Sequence, residues 1–175
     1  MRMKTDGDHL HEARMRVISV LEESGLAMAQ AAKVLAQCHR HIQNRAMVEG
    51  MSRESGLTLD GFHTNEDLEL YFDIAKNGHD VGFISKGWDD PGFRVGELLI
   101  LPAATLETFR RRAPEIMDFC STNGMGCTGR LTPEGLELSL LDNIYAEGFN
   151  IATFLQTLES VQSCCTTVQA ILRGE

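Results

Sequence analysis

Five cysteines and six histidines are the residues of this 175-residue chain with the chemistry to ligate a metal or attack a substrate. Cys38, His39 and His41 sit together, and the three-residue step from Cys38 to His41 puts both on one face of a helix. With Cys120 and Cys127 they would supply the thiolate and imidazole donors that zinc prefers. The spacings, Cys-x-x-His on a helix and six residues between Cys120 and Cys127, match no closed zinc pattern. His9 and His11 read as an exposed pair. A thiol nucleophile at Cys120 or Cys127 needs an adjacent base, and no local signature places His63 or His79 beside either. Gly124, Gly126 and Gly129 form a glycine-rich stretch, but no Lys-Ser/Thr pair follows and no helix starts close behind, so a phosphate cradle is not expected. Asp89 and Asp90 fall in a turn, where aspartate bonds its own backbone. These residues predict neither an enzyme nor a cofactor. A small metal- or thiol-dependent protein using Cys38, His41, Cys120 and Cys127 stands as the alternative, separable by metal analysis.

The composition bounds the remaining classes. A net charge of -9 disfavours nucleic acid and anionic membranes, both of which require clustered Lys and Arg. Arg110, Arg111 and Arg112 make the one basic run, read as a solvated helix face or a contact for an acidic partner. The basic start at 1–4 is followed by polar residues, so neither a signal peptide nor a membrane span is expected, and the five cysteines read as reduced cytosolic thiols. The predicted location is cytoplasmic.

The elements that must carry any surface begin with the last one. In 150–172, apolar residues at Ile151, Phe154, Leu158, Val161, Cys165, Val168 and Leu172 alternate three and four apart, a single helical stripe. Asn150 is placed to cap it, Phe149 and Phe154 to staple its entry, and Gly174 to end it. Upstream, 8–23 and 26–51 read as two helices separated by Ser24-Gly25. Residues 57–60 suggest a short extended segment. Leu68, Leu70, Phe72 and Ile74 alternate with Glu69, Tyr71 and Asp73 as a half-buried strand. Asn77-Gly78 turns the chain into a return strand at 80–86, with Val81 and Phe83 on one face and Gly82 and Ile84 on the other. A third strand at 93–101 carries Leu98-Leu99-Ile100-Leu101, apolar on both faces and so expected to be covered. A helix at 105–120 contains Pro114, where a kink or restart is expected. A loop at 121–129, a strand end and tight turn at 129–135, a strand at 136–140 and a connector at 142–148 lead to the final helix. The predicted fold is α+β and two-layer: a five-stranded antiparallel sheet with helices in the order ααβββαββα. It forms a single domain over 1–175, with an extra N-terminal helix at 8–24 before a core at 26–175.

That order, with SGLTLDG at 55–61 leading into LELYF at 68–72, GELLILP at 96–102 entering a helix, and TGRLTPEGLEL at 128–138 before the closing helix, resembles the type III secretion chaperone fold and the YbjN-like bacterial proteins that share it. The resemblance covers the last 150 residues or so and is one of pattern and topology. It implies a non-enzymatic homodimer that holds a protein or peptide client in extended form without nucleotide. By position it assigns client binding to Leu57, Leu59, Leu70, Phe72, Val81 and Phe83. It assigns the dimer interface to Leu106, Phe109, Arg110, Ile116 and Met117 on the middle helix. The N-terminal helix and Pro114 depart from the family pattern and leave room for a YbjN-like regulatory interaction module. A further alternative is contact with another folded protein through the loop around Trp88.

Overall fold

The computed structural model describes residues 6–133 and 135–174. Residues 1–5, with the basic start at 1–4, Glu134, inside the turn expected at 129–135, and Glu175 lie outside the described residues. The chain divides into two compact units, Met1–Asn44 and Arg45–Glu175. The division falls within the second helix and not at the turn before it.

The first unit holds helix α1 (Asp6–Glu23) and the start of helix α2 (Met28–Ser55). Gly25, at φ 66°, takes the left-handed turn between them. Gln30 reaches back to accept from the Ala27 backbone N–H at 3.0 Å and so caps the start of α2.

The second unit is an α+β structure built on an antiparallel sheet. Its strands are β1 (Thr58–His63), β2 (Leu68–Lys76), β3 (His79–Gly87), β4 (Gly92–Pro102), β5 (Gly126–Thr132) and β6 (Gly135–Tyr145). Helix α3 (Leu106–Thr122) lies between β4 and β5, and helix α4 (Ile151–Arg173) follows β6. The sheet has six strands in the order β1-β2-β3-β4-β6-β5, not the expected five. The added strand is β1, whose Thr58 to His63 pairs with Ala75 to Tyr71 through a register break between Asp60 and His63. Gly61, at φ 62°, sits in that break and interrupts the alternation by which the strand would be recognised. Two neighbouring boundaries also move. The expected loop at 121–129 gives way to β5 from Gly126, and the expected connector at 142–148 continues β6 to Tyr145.

The local signals elsewhere act as their chemistry requires. Asn77 (φ 54°) and Gly78 (φ 78°) both adopt the left-handed region that a two-residue hairpin turn needs. Asn150 accepts from the N–H groups of Ala152 and Thr153 at 3.0 and 3.1 Å, Thr153 returns a capping-box bond, and Gly174 closes α4 at φ 80°. Phe149 and Phe154 meet edge-on at 6.2 Å as the staple. Helix α3 runs unbroken through Pro114. The proline lies on its exposed side, where water can serve the carbonyl that loses its donor.

Helix α4 is the shared beam of the core. Its first half contributes Phe154 and Leu158 to a cluster with Val48 and Met51 of α2 and with Leu70, Phe72, Ile74, Ile84, Phe93 and Val95 of the sheet. Its second half contributes Val161, Cys165, Val168 and Leu172 to another, with Ile116 and Cys120 of α3 and Leu136, Leu138 and Leu140 of β6. All of these strand residues lie on one face, because pairing places Phe72 by Ile84, Ile84 by Val95 and Leu99 by Leu138. Helices of this unit therefore cover one side of the sheet and leave the other open.

Candidate functional site

The open face follows from strand register. Paired positions carry Tyr71, Asp73 and Phe83 on β2 and β3, Leu98 and Ile100 on β4, Glu137 and Ser139 on β6, and Thr128 and Arg130 on β5. His63 stacks on Tyr71 at 4.5 Å and Tyr71 on Phe83 at 5.6 Å, a ring ladder crossing three strands. Gly96, opposite Phe83, leaves room for that ring: a β-carbon there would stand 2.5 Å from Phe83 Cζ. Beyond the ladder, Leu98 and Ile100 are 44% and 64% exposed on a central strand. A depression of about 380 Å³ between Tyr71, Phe83, Leu98, Arg130 and Ser139 adjoins one of about 260 Å³ between Asp73, Asp80, Phe83, Leu98 and Ile100.

The polar rim is specific. Tyr71 donates to Asp73 Oδ1 at 2.8 Å, and burial together with the nearby Asp73 carboxylate holds its phenol protonated well above the usual tyrosine range. Asp60 lies opposite Asp73, so two carboxylates meet at the β1–β2 side. Arg130 pairs with Glu137 at 2.7 Å on the far side. The face offers an apolar floor, aromatic faces and mostly acidic borders.

The residues assigned by resemblance do not form one surface. Leu57, Leu70 and Phe72 are buried in the first core cluster, and Leu59 and Val81 pack against it. Val81 parts from Phe83 because a register shift between Ile74 and Ala75 makes it an extra residue opposite β2. Of the six, Phe83 alone belongs to the open face. On α3, Ile116 is fully buried in this chain's own core and so closed to a second copy, while Leu106 and Phe109 pack on the second cluster and stay partly exposed. Arg110 faces solvent beside Glu107 at 2.7 Å, and Met117 is exposed. The expectation that both faces of 98–101 are covered also fails: Leu99 is buried, while Leu98 and Ile100 are not. A strand that is apolar on both sides reads the same whether its second face lies under helices or waits for something else.

The candidate metal and thiol residues divide between the units. Cys38 and His41 lie on the first part of α2, whereas Cys120 and Cys127 contact each other where α3 turns into β5. Among the described residues, no group of three or more His, Cys, Asp or Glu side chains is placed to hold a metal ion. Burial, then the neighbouring Cys127, pushes the Cys120 thiol up to about 11; burial and Glu97 raise Cys165 further. Such thiols stay protonated and nucleophilically weak at neutral pH. A thiol titration of native protein with a disulfide reagent is therefore expected to consume exposed Cys38 first and to reach Cys120 and Cys165 only after unfolding. Rapid modification of Cys120 in folded protein would contradict this. The unfolded chain releases its thiol protons more readily, so this contribution to stability holds below pH 9 and is lost as pH rises toward 11.

Among the described residues, no helix is long and apolar enough to cross a membrane. No protein-family model matches the chain, and no curated protein does. A crystal structure of an uncharacterized protein from Methanothermobacter thermautotrophicus is similar in fold, with a TM-score of 0.59 at 11% identity over 74% of this chain and 96% of that one.

Proposed function

We propose that this chain is a non-enzymatic, chaperone-like cytosolic binding protein that holds an extended segment of a protein or peptide client. The observation that carries this reading is the open sheet face, where Tyr71, Phe83, Leu98 and Ile100 form an apolar floor that no helix of residues 45–175 covers. Solvent-facing apolar side chains cluster on a central strand when they meet another surface. An extended segment fits because its alternate side chains point one way, matching the two adjoining depressions along β4.

The borders choose the chemistry of the client. Asp60, Asp73 and Asp80 flank the floor at its β1–β3 side, and the whole chain carries a charge of -9. A segment alternating apolar and basic residues would place one set on the floor and the other on these carboxylates. The secretion-chaperone resemblance supports the same class of function, with the contact surface moved from the buried Leu70 and Phe72 to the outer face.

The test is fluorescence polarisation with labelled extended peptides of alternating Leu and Lys, beside a Leu–Glu counterpart. The Leu–Lys peptide is expected to bind and the Leu–Glu peptide not. Leu98→Asn with Ile100→Asn is expected to weaken binding by about tenfold or more, the scale of losing two apolar anchors at a contact. Both side chains are exposed, so folding stability should shift by no more than about 0.5 kcal/mol each. Equal binding of both peptides, or binding unmoved by the double substitution, would overturn the proposal.

A further inference from the structure

The first unit presents a different kind of surface. Across 9–44 no residue is buried, although both helices carry apolar positions. On α1, Leu10, Val17 and Val20 fall on one narrow stripe; on α2, Met28, Leu35, Cys38 and Ile42 do the same, with Ala31 completing a strict alternation of three and four. Leu10, Val20, Met28 and Ile42 are 70%, 65%, 86% and 66% exposed. The helices meet at their elbow, where Ile18, Leu21, Leu26 and Leu35 line an apolar notch of about 350 Å³. Two amphipathic helices joined by a four-residue turn ordinarily close on each other; here the stripes remain exposed.

We infer that the stripes of α1 and of the first part of α2 form a seam with a second copy of this chain, the two elbows interlocking into a four-helix bundle. Three observations select that occupant. The segments match in length, since α1 has 18 residues and 28–44 of α2 offers nearly as many, so each copy supplies both the helix and the vacancy of equal span. Charge permits it: residues 6–44 carry five acidic and four basic side chains, almost neutral within a chain of net charge -9, so two elbows approach without the repulsion that two acidic sheet units would meet. The seams have the alternation of three and four that knobs-into-holes packing requires, with small Ala31 and Cys38 allowing close approach. The symmetry is isologous, each α1 lying on the partner's α2. This surface is built from residues other than those of the proposed client face and of the α3 surface that the family resemblance would use.

Sedimentation equilibrium of the full chain tests it. The expected mass is twice 19.4 kDa. Val17→Glu and Leu35→Glu should each shift the chain to monomer, while Met117→Glu, on exposed α3, should leave the dimer intact. Circular dichroism and the thermal unfolding of each variant report whether the sheet unit stays folded, which exposed positions outside its core should allow. A monomeric wild-type chain at every concentration would overturn the inference, as would a dimer that survives both elbow substitutions or one broken by Met117→Glu. Peptide binding is read separately, so a monomer that still binds the Leu–Lys peptide fails this inference without failing the functional one.

Discussion

Lys86→Met is expected to destabilise the protein by about 3–5 kcal/mol, a large part of a typical domain's stability of about 5–15 kcal/mol. Lys86 and Glu69 form an ion pair at 3.1 Å with side chains only 4% and 1% exposed. The ammonium also donates to the carbonyls of Asp90 at 2.8 Å and Gly87 at 3.2 Å. Pairing sets Lys86 opposite Leu70, and a register shift inserts Glu69 beside it, so the bulge brings the carboxylate to the amine at the end of the core. Removing the amine takes this cation from a buried carboxylate and one donor from each of two carbonyls. The double variant Glu69→Leu with Lys86→Met removes both charges and is expected to be more stable than Lys86→Met alone. Urea denaturation of the two single variants and the double measures the coupling. A Lys86→Met protein within about 1 kcal/mol of wild type would show that the pair is solvated in solution. The same loop is tied by Asp90, which accepts from the Gly87 N–H at 2.8 Å and pairs with Arg94 at 2.7 Å, and by Trp88, whose indole N–H donates to Asn65 O at 2.9 Å. The loop carrying the single Trp is thus braced by its own chain.

The second large effect is expected at Phe154→Ala, about 3–5 kcal/mol for a fully buried aromatic side chain. Phe154 packs on Phe149, which stacks on Phe93 of β4 at 4.0 Å, so the three rings join the first turn of α4 to the sheet. Truncation opens a cavity where the helix enters the core and removes the staple that sets its direction. Ile151→Ala, a half-exposed position on the same stripe, is the control and should cost roughly 1 kcal/mol or less. Thermal unfolding followed by circular dichroism compares them. Equal losses would mean that the entry turn is loosely packed and that the second half of α4 carries the helix.

Helix α4 and the β2–β3 hairpin were legible because their signals are local. A cap, a staple and an Asn-Gly turn each act over a few residues, a stripe repeats every three or four, and the backbone obeys them wherever the chain goes. Strand β1 was not legible as a full strand, because Thr58–His63 owes its form to pairing with β2 and is broken by Gly61. Register failed in a related way. Alternation placed Val81 with Phe83, but the extra residue opposite Ile74 and Ala75 reverses that relation, and such a bulge exists only between two strands. Pro114 argued for a kink or restart, and α3 does not restart there, since tertiary packing of Ile116 and Cys120 holds the helix across one lost bond.

The sequence by itself determined the helices, their caps, the antiparallel α+β class and the apolar residues available for burial, since these depend on the order of neighbours along the chain. Only the tertiary structure decided which of those residues became core and which became surface. Leu70, Phe72 and Ile116 went beneath the helices, while Leu98 and Ile100, equally apolar, were left on the outer face. That choice depends on which side of the sheet the helices take, and it is made by contacts between residues far apart in sequence, such as those of α4 with β3, β4 and β6.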